Sequence, residues 1–147
     1  MVDLSATNVA LAGESIARAK EWQNWLLQTL NAEALDEHSD EVVPVASQAL
    51  VGVYACAFVK KKHLPFLHDV DVTTTAVGMM GMGNKGAVCL RFRLHDSTFC
   101  FVCSHLAAHR EKIDARNKDF ASIMERTEFK GDGESLSVGD AGGRPAR

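Results

Sequence analysis

The sequence predicts an α/β (α+β) fold, a sandwich with sheets inside and helices outside. Three observations carry that expectation. Segments Glu14–Asn31 and Glu111–Thr127 space their apolar residues by three or four, the period of one helix face. The stretch between them is rich in Val, Thr and alternating apolar residues, broken by turn residues. No internal repeat is visible, and 147 residues make one domain at most.

The elements follow in chain order. Val2–Gly13 lacks a period, and Ser5, Asn8 and Gly13 read as loops and turns. In the first helix Ile16, Ala19, Trp22, Leu26 and Leu30 share a face, with Trp22 and Trp25 expected as core and rim packing. Ala32–Asp40 is acidic and polar, a loop. Val42–Ser47 reads as a short extended piece that Pro44 keeps out of a sheet centre. Leu50–Lys60 is almost continuously apolar and reads as a buried central strand. Leu64–Leu67, with Pro65, is a brief turn or helix. Asp69–Val77 is a strand rich in Val and Thr. Ala87–His95 alternates, Val88, Leu90, Phe92 and Leu94 opposing Cys89, Arg91, Arg93 and His95. Asp96-Ser97 marks a turn, and Thr98–Ser104 returns as the partner strand. The second helix puts Ile113, Phe120, Ile123, Met124 and Thr127 on one side. Lys130–Arg147 is glycine-rich, without a period, and reads as irregular.

Composition removes several classes of function. A net charge of -3 gives no global basic field, so any anion site must be local. No apolar run has the length of a membrane span. Polar and acidic residues follow Met1 closely, so no signal peptide is expected. The four cysteines lie in apolar, strand-like runs, which suggests buried free thiols and a reducing, cytoplasmic setting. Cys100 and Cys103 have metal-type spacing, but three apart on a strand they point to opposite faces.

The stretch with most chemistry runs from Gly78 to His109. Gly81, Gly83 and Gly86 surround Asn84-Lys85. Glycine lets a ligand approach the main chain, Asn84 offers an amide and Lys85 a mobile point charge, the parts of an anion cradle. The letters also match a dinucleotide fingerprint, but a strand follows where that site needs a helix. A Walker loop fails as well, because Gly86 rather than Ser or Thr follows Lys85. At the far end of the hairpin stand Ser104, His105 and His109. Ser104 and His105 face opposite ways, so they are no nucleophile–base pair. His105 and His109 have zinc spacing without an evident third ligand. A phosphate-holding loop joined to a histidine tip suggests phosphate chemistry. Lys60-Lys61-Lys62 reads first as a solvated strand end and second as a basic rim.

These residues carry a resemblance. Met79 through Val88, Phe99 through His109, Arg116-Asn117 and Arg126–Phe129 resemble the inositol polyphosphate 5-phosphatase family. Val2-Asp3-Leu4, Asn8-Val9, Lys20-Glu21-Trp22 and Leu50-Val51-Gly52 fit the same pattern. The resemblance implies a four-layer αββα sandwich of the endonuclease/exonuclease/phosphatase type, incomplete here. Residues 1–129 would be the central part of a catalytic domain, and 130–147 an irregular tail.

It further implies hydrolysis of the 5-phosphate of phosphoinositides or soluble inositol phosphates, using Mg²⁺ and an activated water. By motif match His105 is the catalytic residue, and Asn84, Lys85 and His109 bind substrate. Met79, Met80 and Met82 would face the membrane in a peripheral contact. Nucleic acid is not expected as a partner. The family's metal-binding glutamate falls before Val2, and its last two downstream motifs fall beyond Arg147. Gly139-Asp140 and Arg144 only partly match the motif between, because Gly142 replaces its asparagine. No residue here is assigned to the metal, and the segment alone is expected to be inactive. The alternative is a non-catalytic module that binds inositol phosphates, with an endonuclease of the same fold behind both.

Overall fold

The computed structural model of the protein describes residues 6–32, 40–50, 52–78, 85–130 and 135–137. Helix α1 spans Ala6–Ala32. It therefore starts in the region expected to be loops. Gly13 inside a helix costs about 1 kcal/mol relative to alanine, a cost that the strong helix formers Ala6, Ala10 and Ala12 offset.

Strands β1 (Val42–Leu50) and β2 (Val53–Lys60) pair antiparallel, with Leu50 opposite Val53. The expected central strand Leu50–Lys60 is thus broken: Gly52, at φ 74°, turns the chain back within the apolar run. Pro44 lies where the register shifts, in a two-stranded sheet that tolerates its missing donor.

A 3-10 segment, Lys61–Phe66, leads into β3 (Leu67–Val77). Strands β4 (Lys85–Leu94) and β5 (Ser97–His105) complete a second antiparallel sheet, ordered β3-β4-β5. The central strand is β4, and its Gly86–Leu90 run is buried on both faces. Its hairpin turn falls at His95-Asp96, one residue before the expected place, with His95 at φ 52°. Helix α2 spans Ile113–Arg126, shorter than expected at both ends. Strands β6 (Glu128–Lys130) and β7 (Ser135–Ser137) pair after it, so the presumed irregular tail contains a strand.

The layers run α1, β1-β2, β3-β4-β5, α2. Alternation along β4 makes this possible. Ala87 and Cys89 face α2 in a core with Val77, Ile123 and Phe129, onto which Cys100 packs. Gly86 turns the other way, toward the Leu50 side chain in β1. Cys103 follows it and places its thiol near the Tyr54 carbonyl, so Cys100 and Cys103 do point apart.

Three side-chain expectations fail. The Trp22 and Trp25 rings are 58% and 55% exposed and stack edge-to-face on each other, 5.4 Å apart. Polar hooks set that orientation: Asn31 exchanges two hydrogen bonds with the Val42 backbone, 2.8 and 2.7 Å, and Ser47 donates to Gln23 at 3.0 Å. On α2, Ile113 and Phe120 are exposed, and Ile123 carries the packing. All four thiols are free, but only Cys89 is buried and Cys103 is exposed. Burial pushes the Cys89 and Cys100 thiols up from their ordinary range.

Candidate functional site

Antiparallel register brings the start of β4 to the end of β5. Gly86 pairs with His105 and Ala87 with Ser104, so His105 faces the β1-β2 hairpin and Ser104 faces α2. The two cannot act as a nucleophile–base pair.

Lys85, one residue before Gly86, reaches the imidazole: its Nζ lies 3.1 Å from His105 Nε2. Both side chains are half-buried. An ammonium has no acceptor, so Lys85 donates and Nε2 accepts, which leaves the proton of a neutral ring on Nδ1. That Nδ1 is buried without a hydrogen-bond partner among the described residues.

Two glycines shape the space around this pair. A β-carbon on Gly86 would stand 2.3 Å from the Thr75 carbonyl oxygen and 2.6 Å from Leu50 Cδ2. A β-carbon on Gly52 would stand 3.0 Å from His105 Nδ1. Sequence reasoning gave Gly52 no role. The available signal was an isolated glycine in an apolar run, which often marks close backbone approach.

The loop after β5 is held from α2. Arg116 Nη1 donates to the His109 and Ala107 carbonyls, and Nη2 donates to the Arg110 carbonyl at 3.1 Å. Asp119 accepts from the Ala107 backbone N–H at 2.8 Å. His109 is exposed in that loop at φ 74°, ahead of α2 rather than on it. The reading that singled out His109 missed the α2 residues that hold its backbone.

Asn84, Met79, Met80 and Met82 lie outside the described residues, as do Gly139, Asp140 and Arg144. The Lys60–Lys62 run lies at the opposite end of β2 from Gly52. There Lys61 pairs with Glu41 at 2.6 Å and Lys62 pairs with Asp40, at the far end of the strand from the turn that meets His105. The Lys62 ammonium holds the Asp40 carboxyl below its ordinary range.

Among the described residues no three His, Cys, Asp or Glu side chains converge as a metal site would require. They therefore do not build a magnesium site. No helix among the described residues is long and apolar enough to cross a membrane.

The family model "Endonuclease/Exonuclease/phosphatase family 2" matches residues 2–142. Synaptojanin-2 of Rattus norvegicus is 38% identical over 130 residues, covering 88% of this chain and 8% of that protein. Human synaptojanin-1 is 39% identical over the same share of the chain. The type II inositol 1,4,5-trisphosphate 5-phosphatase of Mus musculus is 34% identical over 128 residues, 86% of this chain and 12% of that protein. The crystal structure of a synaptojanin's inositol polyphosphate 5-phosphatase domain, bound to inositol (1,4)-bisphosphate and a calcium ion, superposes with a TM-score of 0.72. It is 33% identical, over 82% of this chain and 34% of that one. The chain thus spans only a small part of its curated relatives and about a third of the solved domain. By its layers, its register and these matches, the chain belongs to endonuclease/exonuclease/phosphatase family 2, and its relatives are inositol polyphosphate 5-phosphatases.

Proposed function

We propose that this chain forms the central part, residues 1–129, of an inositol polyphosphate 5-phosphatase catalytic domain, with Lys85 and His105 as its phosphate-binding wall. One observation carries the reading: Lys85 Nζ and His105 Nε2 lie 3.1 Å apart at one strand end. Two nitrogens at that separation can both reach one phosphate oxygen at hydrogen-bond distance. An arriving phosphate takes the ammonium donor from the imidazole, and the ring, turned to its Nε2–H tautomer, then donates to the same group. His105 is the catalytic residue at the scissile phosphate, and Lys85, with Asn84 and His109, holds the substrate's other polar groups. The substrate is a phosphoinositide or a soluble inositol phosphate. Met79, Met80 and Met82 supply a peripheral membrane contact, and free thiols suit a cytoplasmic setting.

A divalent ion such as Mg²⁺ would polarise the phosphoryl oxygen and offset developing charge. The described residues do not fit one, so what they contribute is binding and orientation. Taken alone, the 147 residues are expected to bind inositol phosphates without turnover, since they match 34% of the solved domain.

The test uses the 147-residue chain with inositol 1,4,5-trisphosphate, measuring binding by calorimetry and phosphate release with Mg²⁺. Binding that His105→Ala and Lys85→Ala each weaken by about tenfold supports the reading. Binding indifferent to both, or no binding, overturns it. Chelator-sensitive release would overturn the expectation of inactivity and place metal ligands in this chain.

A further inference from the structure

We propose that Gly52 is a positioning residue for His105: because it has no side chain, the β1-β2 turn closes on the imidazole and holds Nε2 toward Lys85. The inference rests on the phosphate-binding role just given to His105 and names what orients that ring.

Three observations converge. The missing β-carbon of Gly52 would lie 3.0 Å from Nδ1 and 3.4 Å from Cε1, so the turn abuts one edge of the ring. The next atom round the ring from Cε1, Nε2, meets Lys85 at 3.1 Å. The turn is also anchored beneath the site, because Leu50 Cδ2 occupies the space that a side chain on Gly86 would need. Gly86 is the cross-strand partner of His105, so Leu50 and Gly52 straddle the histidine position.

The ring is gripped between a backbone turn and an ammonium. Its Nδ1, buried and without a described hydrogen-bond partner, is held by shape rather than by a bond. A side chain at position 52 must displace either the ring or the turn. A cleft of about 230 Å³ lies beside the turn, lined by Arg18, Trp22, Leu50, Gly52 and Tyr54. The turn can recede into it, so a substitution is expected to fold and to lose its hold on the ring.

The test separates crowding from backbone strain. Asparagine tolerates a left-handed φ such as the 74° of Gly52, yet it carries a β-carbon. The full chain, labelled with ¹⁵N-histidine, reports which ring nitrogen carries the proton without any ligand. In the parent chain His105 is expected to show the Nδ1–H tautomer. Gly52→Asn is expected to mix the tautomers while the melting temperature moves little, and to weaken inositol 1,4,5-trisphosphate binding about tenfold.

Leu50→Ala removes atoms and adds no strain. It should loosen the ring in the same direction, and it serves if Gly52→Asn does not fold. An unchanged His105 spectrum in both variants overturns the inference. Loss of melting temperature without any tautomer change also overturns it, since that marks a merely structural glycine. If the parent chain binds no inositol phosphate but the tautomer shifts as stated, the phosphate reading fails and the positioning of His105 by Gly52 stands.

Discussion

The two ends of the central sheet each bring a histidine nitrogen to about hydrogen-bond distance of another nitrogen, yet they are different chemically. At one end Lys85 meets His105 at 3.1 Å. At the other, His63 Nδ1 meets His95 Nε2 at 3.0 Å. The His63–His95 pair consists of two imidazoles that satisfy each other. His95 stacks on Phe66 with ring centroids 4.4 Å apart, and its backbone N–H is tied to the Phe66 carbonyl at 3.0 Å. The neighbouring lysines have carboxylate partners. The Lys85–His105 pair sets an ammonium against an imidazole whose second nitrogen finds no described partner, beside two glycines whose missing β-carbons let neighbouring atoms close in. A histidine pair alone does not mark a site. An ammonium beside an imidazole, close enough to share one phosphate oxygen, is the stronger candidate.

The largest test of this contrast is removal of each ring. In a complete family domain carrying this segment, His105→Ala should lower kcat by about 100- to 1,000-fold, the usual effect of losing one transition-state donor. His95→Ala should leave kcat within about twofold, and His109→Ala should fall between. Comparable losses at His95 and His105 would erase the distinction between the ends.

Lys85→Ala should raise KM by about tenfold with little change in kcat, because it removes binding shared by ground and transition states. A collapsed kcat at unchanged KM would move Lys85 to the scissile phosphate.

Arg116→Ala should cost less, a few-fold in kcat/KM. It frees the carbonyls of Ala107, His109 and Arg110 without touching His105. Rescue by Arg116→Lys would argue against the forked donor geometry proposed here.

A smaller effect appears with pH. Burial raises the Cys89 and Cys100 thiols, so the folded chain holds their protons more tightly than the unfolded chain does. Their contribution is present below the ordinary thiol range and declines as pH rises through it. The denaturant midpoint should therefore fall as pH rises above about 8.5, and less so in Cys89→Ala. Below that in size, Lys62→Met at the other end should leave the midpoint unchanged within error, because the Lys62 side chain is exposed and its pair with Asp40 is only partly buried.

The sequence made the β4-β5 hairpin legible because alternation and a short turn are local signals. It made Lys85 and His105 legible because a motif names them. Gly52 and Arg116 stayed hidden for a physical reason. Gly52 acts on a histidine far along the chain by lacking a side chain, and Arg116 acts on the loop just before its own helix through backbone carbonyls, which single out no residue type. Trp22 misled because a large apolar ring at helical spacing reads as core. The helix docks instead through Asn31 and Gln23, whose polar side chains a hydrophobic period ignores.

Every strand pairing among the described residues joins neighbours in the chain: β1 with β2, β3 with β4, β4 with β5, and β6 with β7. Hairpins of that kind close short loops, and local contacts form fast. Gly86 and His105 therefore become partners early, as β4 and β5 zip together. Gly52 belongs to the other hairpin and reaches the imidazole only when the two sheets dock. On that reasoning the histidine would be delivered first and its orientation set last. Anything that slows docking of the β1-β2 hairpin would leave a population with its sheets formed and its anion site unfinished.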